Sequence, residues 1–281
     1  MFGRSDGKRV KSLSPIGRLT PYIMNRRTDS ELKYTKDYDC GILDKIIAEY
    51  PEKNLSYMVL LFAAVVRTLA LRPKLNRFIM NCKIYKRNRI EGCLAVHKTF
   101  RGDGDETIVK FPFKGTENLF EVNDIMTGLI NESVKDKKAN KTDGLSSLFF
   151  VIPGFILKLV INFLKQLDRW GMLPKAVIEG SPFHTSFFIT NLKSINMEAA
   201  YHHLYEFGTN GIFISLGKDG FKPFADKNGE IVSKKVVTLA YVVEERMCDG
   251  LYLSKSLKYI DKYLNDPYLL LEGLEEIILD N

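Results

Sequence analysis

The chain has 281 residues, of which 45% are hydrophobic and 11% aromatic, enough for one large or two small globular units. The formal charge is +7, but Lys and Arg are spread along the chain. No focused basic stripe with interleaved aromatics speaks for nucleic acid. Cys40, Cys82, Cys93 and Cys248 have neither disulfide-framework nor metal-ligand spacing, and they read as reduced thiols of a cytoplasmic protein.

Residues 1–20 are basic, carry Gly, Ser and Pro, show no secretory apolar core, and read as a loose arm ahead of a single domain over 21–281. Asp39 to Tyr50 places Ile42, Leu43, Ile46 and Ile47 on one face of a helix that Pro51 stops. Ser56 caps a second, strongly apolar helix that runs to about Leu71, ended by Pro73. Three β-like runs follow, Phe78–Tyr85, Gly92–Phe100 and Thr107–Phe111, the last closed by Pro112. Glu117 to Val134 has helical spacing, and Lys135–Lys141 reads as a charged loop.

Residues 145–164 form the most apolar segment. About 20 apolar residues suffice to span a bilayer. However, Pro153-Gly154 interrupts the run, and Lys158 inside it costs roughly 3 kcal/mol at a membrane centre. A helix in the core or in a subunit interface is therefore expected, with membrane-surface contact as the lesser alternative. Further on, Phe183–Leu192 and Gly211–Gly217 read as strands, 193–206 as a loop, and Asp219-Gly220 and Asn228-Gly229 as turns. Val236–Val243 reads as a buried strand that delivers Glu244, Glu245 and Arg246 to a sheet edge, and a helix starts just beyond Asp249-Gly250.

Four segments in this order resemble the chloramphenicol acetyltransferase and dihydrolipoyl acyltransferase catalytic-domain family. They are the Pro-ended helix with its strands, Gly171–Pro174 with Ser186–Leu192, Gly211–Gly217, and the strand leading into Asp249-Gly250. The resemblance spans about Asp39 to Asn265, without lipoyl or subunit-binding domains. It implies an α/β two-layer sandwich with a mixed sheet, assembled as a homotrimer with its channel between subunits. It also implies an acyltransferase that takes coenzyme A or acyl-coenzyme A and no metal. In the family's H-x-x-x-D-G motif the histidine is the base; here Glu245 stands in that position. Carried over, Ser186 or Thr190 is the hydroxyl that steadies the oxyanion. Asp249, Gly250, Arg246 and Asn191 have structural roles at the site.

Thiol-to-Glu proton transfer is uphill by roughly 5.7 kcal/mol at ordinary pKa values, against roughly 2.7 for His. Burial that raises the Glu would close that gap, whereas Arg246 beside it would hold it ionised, and alternation along the strand would turn Glu244 away. Two functions follow. One is a coenzyme-A-dependent acyltransferase with an unassigned acceptor; the alternative is an inactive trimeric binding or scaffold protein, a pseudoenzyme on the same fold. His184, His202 and His203 are secondary catalytic candidates. Adjacent histidines without a spaced third ligand do not make a metal site.

Overall fold

The computed structural model describes residues 4–97, 106–135, 152–226 and 228–280. Its main sheet has six strands in the order β2 (Glu31–Asp39), β9 (Ile231–Glu244), β8 (Ile212–Ala225), β7 (Phe187–Asn191), β5 (Ile90–His97) and β6 (Glu106–Phe113). β5, β7 and β8 run parallel and the remaining pairs antiparallel, so the sheet is mixed as expected. Pro112 is tolerated because β6 is an edge strand with no further neighbour to receive its missing N–H.

One face of this sheet carries Phe187, Ile189, Ile214, Leu239, Tyr241 and Val243 into the main core. The helices α2 (Cys40–Glu49), α3 (Tyr57–Leu71), α4 (Leu119–Lys135) and α7 (Gly250–Asn265) cover that core. α3 is buried on nearly every side, as its apolar composition demands, and Ser56 caps it by accepting the Val59 N–H at 3.3 Å. The opposite face carries a smaller cluster of Cys93, Phe188, Phe213 and Val242 under the irregular segment around Leu204.

A second, three-stranded sheet joins β1 (Gly7–Arg9), β4 (Lys83–Arg87) and β3 (Arg77–Met80). Here the structure departs from the sequence reading twice. The run Phe78–Tyr85 is a hairpin, not one strand, because Asn81 and Cys82 both take left-handed backbone angles, φ 50° and 55°, which close a two-residue turn. The described part of the segment read as a loose arm is ordered. β1 pairs with β4, a helix α1 (Pro15–Ile23) follows, and Arg4 is buried against Asp6 and Asp168. The pairing partner lies some eighty residues downstream, so local composition could not reveal it.

Asp219-Gly220 is a further correction. These residues lie within the long strand β8, at a register shift between Leu216 and Asp219, so the turn-like pair serves as a bulge. Of the apolar run 145–164, residues 145–151 lie outside the described part. Residues 154–164 belong to α5 (Gly154–Trp170), which is not buried in this chain's core: Phe155, Leu159 and Phe163 are 71%, 66% and 60% exposed. No helix among the described residues is long and apolar enough to cross a membrane. Residues 136–141, expected as a charged loop, also lie outside the described residues, as do 98–100 at the end of the run read as Gly92–Phe100. A short helix α6 (Lys175–Gly180) completes the elements.

Candidate functional site

β9 ends at Glu244, and Glu245–Met247 form a single 3-10 turn before Asp249 starts α7. That turn decides which carboxylate meets which cation. Glu244 is fully buried and held between two guanidinium groups. Arg27 Nε donates to its Oε2 at 2.9 Å, and Arg246 Nη2 pairs with its Oε1. The expectation that Arg246 holds Glu245 ionised, with Glu244 turned away, is therefore corrected. Period-two alternation sets residues two apart on one side of the chain, so at the end of β9 Arg246 meets Glu244 rather than its chain neighbour Glu245. Glu245 is half-buried and has no ion-pair or side-chain hydrogen-bond partner among the described residues.

Arg27 is the residue that the sequence reading missed. Only 4% exposed, it bonds the carbonyls of Tyr205 at 2.7 Å and Gly208 at 3.1 Å as well as Glu244, while its own N–H donates to Glu206 Oε1 at 2.9 Å. It thereby ties the segment 204–208 to the end of β9. Arg246 also reaches back, donating to the Met24 carbonyl at 2.7 Å and fixing the end of α1. The second Arg of the pair Arg26-Arg27, in a stretch with Thr28, Asp29 and Ser30, carries no local sign of such a role.

Asp249 accepts the Tyr252 N–H at 2.8 Å and caps α7. It has no Arg partner among the described residues, so its structural role is exercised through the helix terminus. Gly250 opens that helix. Ser186 immediately precedes β7 and is buried. Its hydroxyl is engaged with backbone, accepting the Glu91 N–H at 3.0 Å. Thr190 is half-buried, opposite Ser215 of β8, and its hydroxyl has no hydrogen-bond partner among the described residues. Asn191 caps the turn 192–195 by accepting the Ser194 N–H at 3.2 Å.

The strand register places Ser186 and Glu245 at the same end of the sheet with β8 between their strands. At roughly 4.8 Å per strand their backbones are about 10 Å apart, beyond direct contact within one chain. Thr190 lies four residues along β7, about 13 Å toward the other end.

The three candidate histidines fall in different settings. His184 is fully buried, with Nδ1 2.8 Å from Ser181 Oγ and Nε2 3.1 Å from Asp168 Oδ2. His202 stacks flat on Phe213 at 4.0 Å and on His203 at 4.6 Å. His203 is exposed. Among the described residues no group of three His, Cys, Asp or Glu is placed to hold a metal ion.

The opposite sheet end carries two adjoining grooves of about 560 and 270 Å³ that share Ser56, Met58, Asn191 and Ser194. They lie where the parallel strands β5 and β7 end and α3 begins. In open α/β sheets that is where ligands bind, and helix N–H groups there favour an anion.

This is the fold of the dihydrolipoamide acyltransferase catalytic cores and of chloramphenicol acetyltransferase. The cubic core of the pyruvate dehydrogenase multienzyme complex superposes with a TM-score of 0.57 at 13% identity, covering 93% of this chain and 94% of that one. A probable dihydrolipoamide acetyltransferase from Listeria monocytogenes gives 0.53 at 15%, covering 92% and 94%. A chloramphenicol acetyltransferase gives 0.51 at 14%, covering 92% and 99%. No family model and no curated protein matches the sequence. At these identities the likeness is one of fold.

Proposed function

We propose that the protein binds acyl-coenzyme A thioesters and transfers the acyl group, with Glu245 as the proton acceptor. The observation that carries this reading is the sorting of charges at the end of β9. Glu244 takes both Arg27 and Arg246, which leaves Glu245 without a cationic partner among the described residues. A carboxylate so placed serves as a general base once a closed channel excludes water. The acceptor is a thiol or hydroxyl that loses its proton to Glu245 as its oxygen or sulfur attacks the thioester carbonyl. The coenzyme A thiolate leaves and takes up that proton. Thr190, whose hydroxyl has no partner among the described residues, is the freer of the two hydroxyl candidates to meet the developing oxyanion.

The separation of Ser186 and Thr190 from Glu245 within one chain favours a homotrimer, in which the base of one subunit faces the hydroxyl strand of the next. Sedimentation equilibrium at micromolar concentration is expected to return three times the 32.1 kDa chain mass. A monomer throughout would remove the composite site.

The decisive comparison is thiol release from acetyl-coenzyme A. Glu245→Gln is expected to lower it by about a hundredfold, the usual scale for losing a general base, and Glu245→His to retain or raise it. A specific observation favours the second reading, a non-catalytic binding or scaffold protein: the Ser186 hydroxyl is already spent on backbone. Absence of coenzyme A binding, together with no turnover across a panel of acyl thioesters, would establish that reading instead.

A further inference from the structure

The three-stranded sheet holds an arrangement of charge that the proposed reaction does not use. Lys8 of β1 lies directly opposite Lys86 of β4, and Lys86 lies directly opposite Arg77 of β3. Residues opposite each other in antiparallel strands project from the same face with their Cβ atoms about 5 Å apart, and like charges so placed repel. Three cations in one row across a whole sheet therefore call for an anion. The structure supplies one: the Asp280 carboxylate, which accepts from Arg77 Nε at 2.7 Å and from Nη2 at 2.6 Å. Lys86 donates to the Asp280 carbonyl rather than to its carboxylate. Lys8 has no anionic partner among the described residues.

The other nearby carboxylates are engaged. Asp6 pairs with Arg4 at 2.9 Å, Glu91 with Lys110 at 3.3 Å, and Glu179 with Arg89 at 3.6 Å. A groove of about 540 Å³ opens beside the row. Its polar wall includes the cations Lys8, Lys86, Arg87, Arg89 and Lys114, with Asp280 as the one carboxylate among the described lining residues, and its apolar wall includes Leu69, Ile90 and Phe113. That volume falls within the range of small-molecule sites.

We infer that this groove binds a small phosphorylated molecule, its phosphate seated on Lys8 and Lys86 beside the Asp280 carboxylate and its apolar portion on Leu69, Ile90 and Phe113. Phosphate answers the charge row because it brings two charges and several acceptor oxygens to donors arranged in a line. Asp280 is the internal competitor: it places a negative charge where the ligand's charge must go. The phosphate belongs either to the nucleotide end of the thioester or to a separate molecule; both present the same chemistry to Lys8 and Lys86.

The test is calorimetric titration of the full chain with inorganic pyrophosphate and, separately, with adenosine 3′,5′-bisphosphate. Wild-type protein is expected to bind both saturably, and the bisphosphate more tightly through its base. Lys8→Gln with Lys86→Gln should weaken pyrophosphate binding by about tenfold or more. Asp280→Asn should strengthen it several-fold. Lys114→Gln alters an exposed side chain and gives a second, milder loss that does not depend on the sheet surviving the double change. Coenzyme A binding that falls in parallel in the double variant assigns the phosphate to the thioester, and coenzyme A binding that persists assigns it to a separate ligand. No saturable binding to wild type or Asp280→Asn overturns the inference, as does equal binding by the double variant. Neither outcome bears on Glu245, which is read by thiol release.

Discussion

Glu244→Ala is expected to destabilise the fold by about 3–5 kcal/mol, the scale for removing one partner of a buried ion cluster. The change strands Arg27 and Arg246, 4% and 6% exposed, with no carboxylate between them. Urea unfolding checks this as a drop in the midpoint at unchanged slope. Asp249→Ala, just beyond the same turn, removes only a helix cap and should cost about 1 kcal/mol. The loss at Glu244 should also reach the segment 204–208, because Arg27 holds the Tyr205 and Gly208 carbonyls only while its own orientation is fixed. Faster amide exchange there is the second readout. A cost for Glu244→Ala no larger than that for Asp249→Ala would show that the clamp contributes little.

Asp168→Ala is the other change with a large expected effect, again about 3–5 kcal/mol. Asp168 is the common partner of Arg4 and His184, and all three are almost wholly buried. The cluster also sets how stability depends on pH. Burial pushes the His184 pKa below its ordinary value, against the opposing pull of Asp168 and Asp6. Arg4 and Arg87 already balance Asp6 and Asp168, so a neutral ring is what the surroundings favour, with Nε2 donating to Asp168 and Nδ1 accepting from Ser181. A group with a lowered native pKa binds fewer protons folded than unfolded, so stability rises with pH. The His184 contribution is complete above about pH 6.5 and falls away as the pH drops below that ordinary value. Burial works to raise the Asp168 pKa, but the hydrogen bond from His184 and the charge and hydrogen bond of Arg4 leave it lowered. Its contribution is lost at lower pH, below the usual carboxylate range. Unfolding free energies measured between pH 5 and 7 should therefore climb in the wild type, and His184→Asn should flatten that slope. An unchanged slope in the variant would mean that another group sets it.

Much of the fold was legible because its signals are local. The apolar density of 57–71 announced a deeply buried helix, Ser56 announced its cap, and Val236–Val243 announced a central strand. The mixed sheet came from the order of four segments that resemble a known family. What could not be read depended on contacts between distant positions. The row Lys8, Lys86 and Arg77 exists only once β1, β4 and β3 pair, and Arg27 becomes a hub only because β9 arrives beside it 217 positions later. At the candidate site the sequence placed Glu245 correctly at the end of a strand. It assigned Arg246 to its chain neighbour Glu245, whereas residues two apart share a side in an extended chain and Arg246 pairs with Glu244. The apolar run 145–164 misled in another way: its composition speaks for burial, but composition does not say which surface does the burying.

The order in which the chain is made has a consequence for β2. Its one strand partner in the sheet is β9, with Glu31 opposite Glu244. A growing chain exposes residues 31–39 to solvent long before 231–244 exist, so this edge of the sheet closes last, and the loop that must close is among the longest the chain can form. During that wait the segment is a β-prone strand with no partner. Lys33, Lys36 and Asp37 interrupt its apolar residues and discourage pairing with a foreign edge. The same three charges then find their places in the finished protein, Lys33 on Glu31, Lys36 on Asp261 and Asp37 on Lys222, so the groups that keep the early chain solitary later fasten it down.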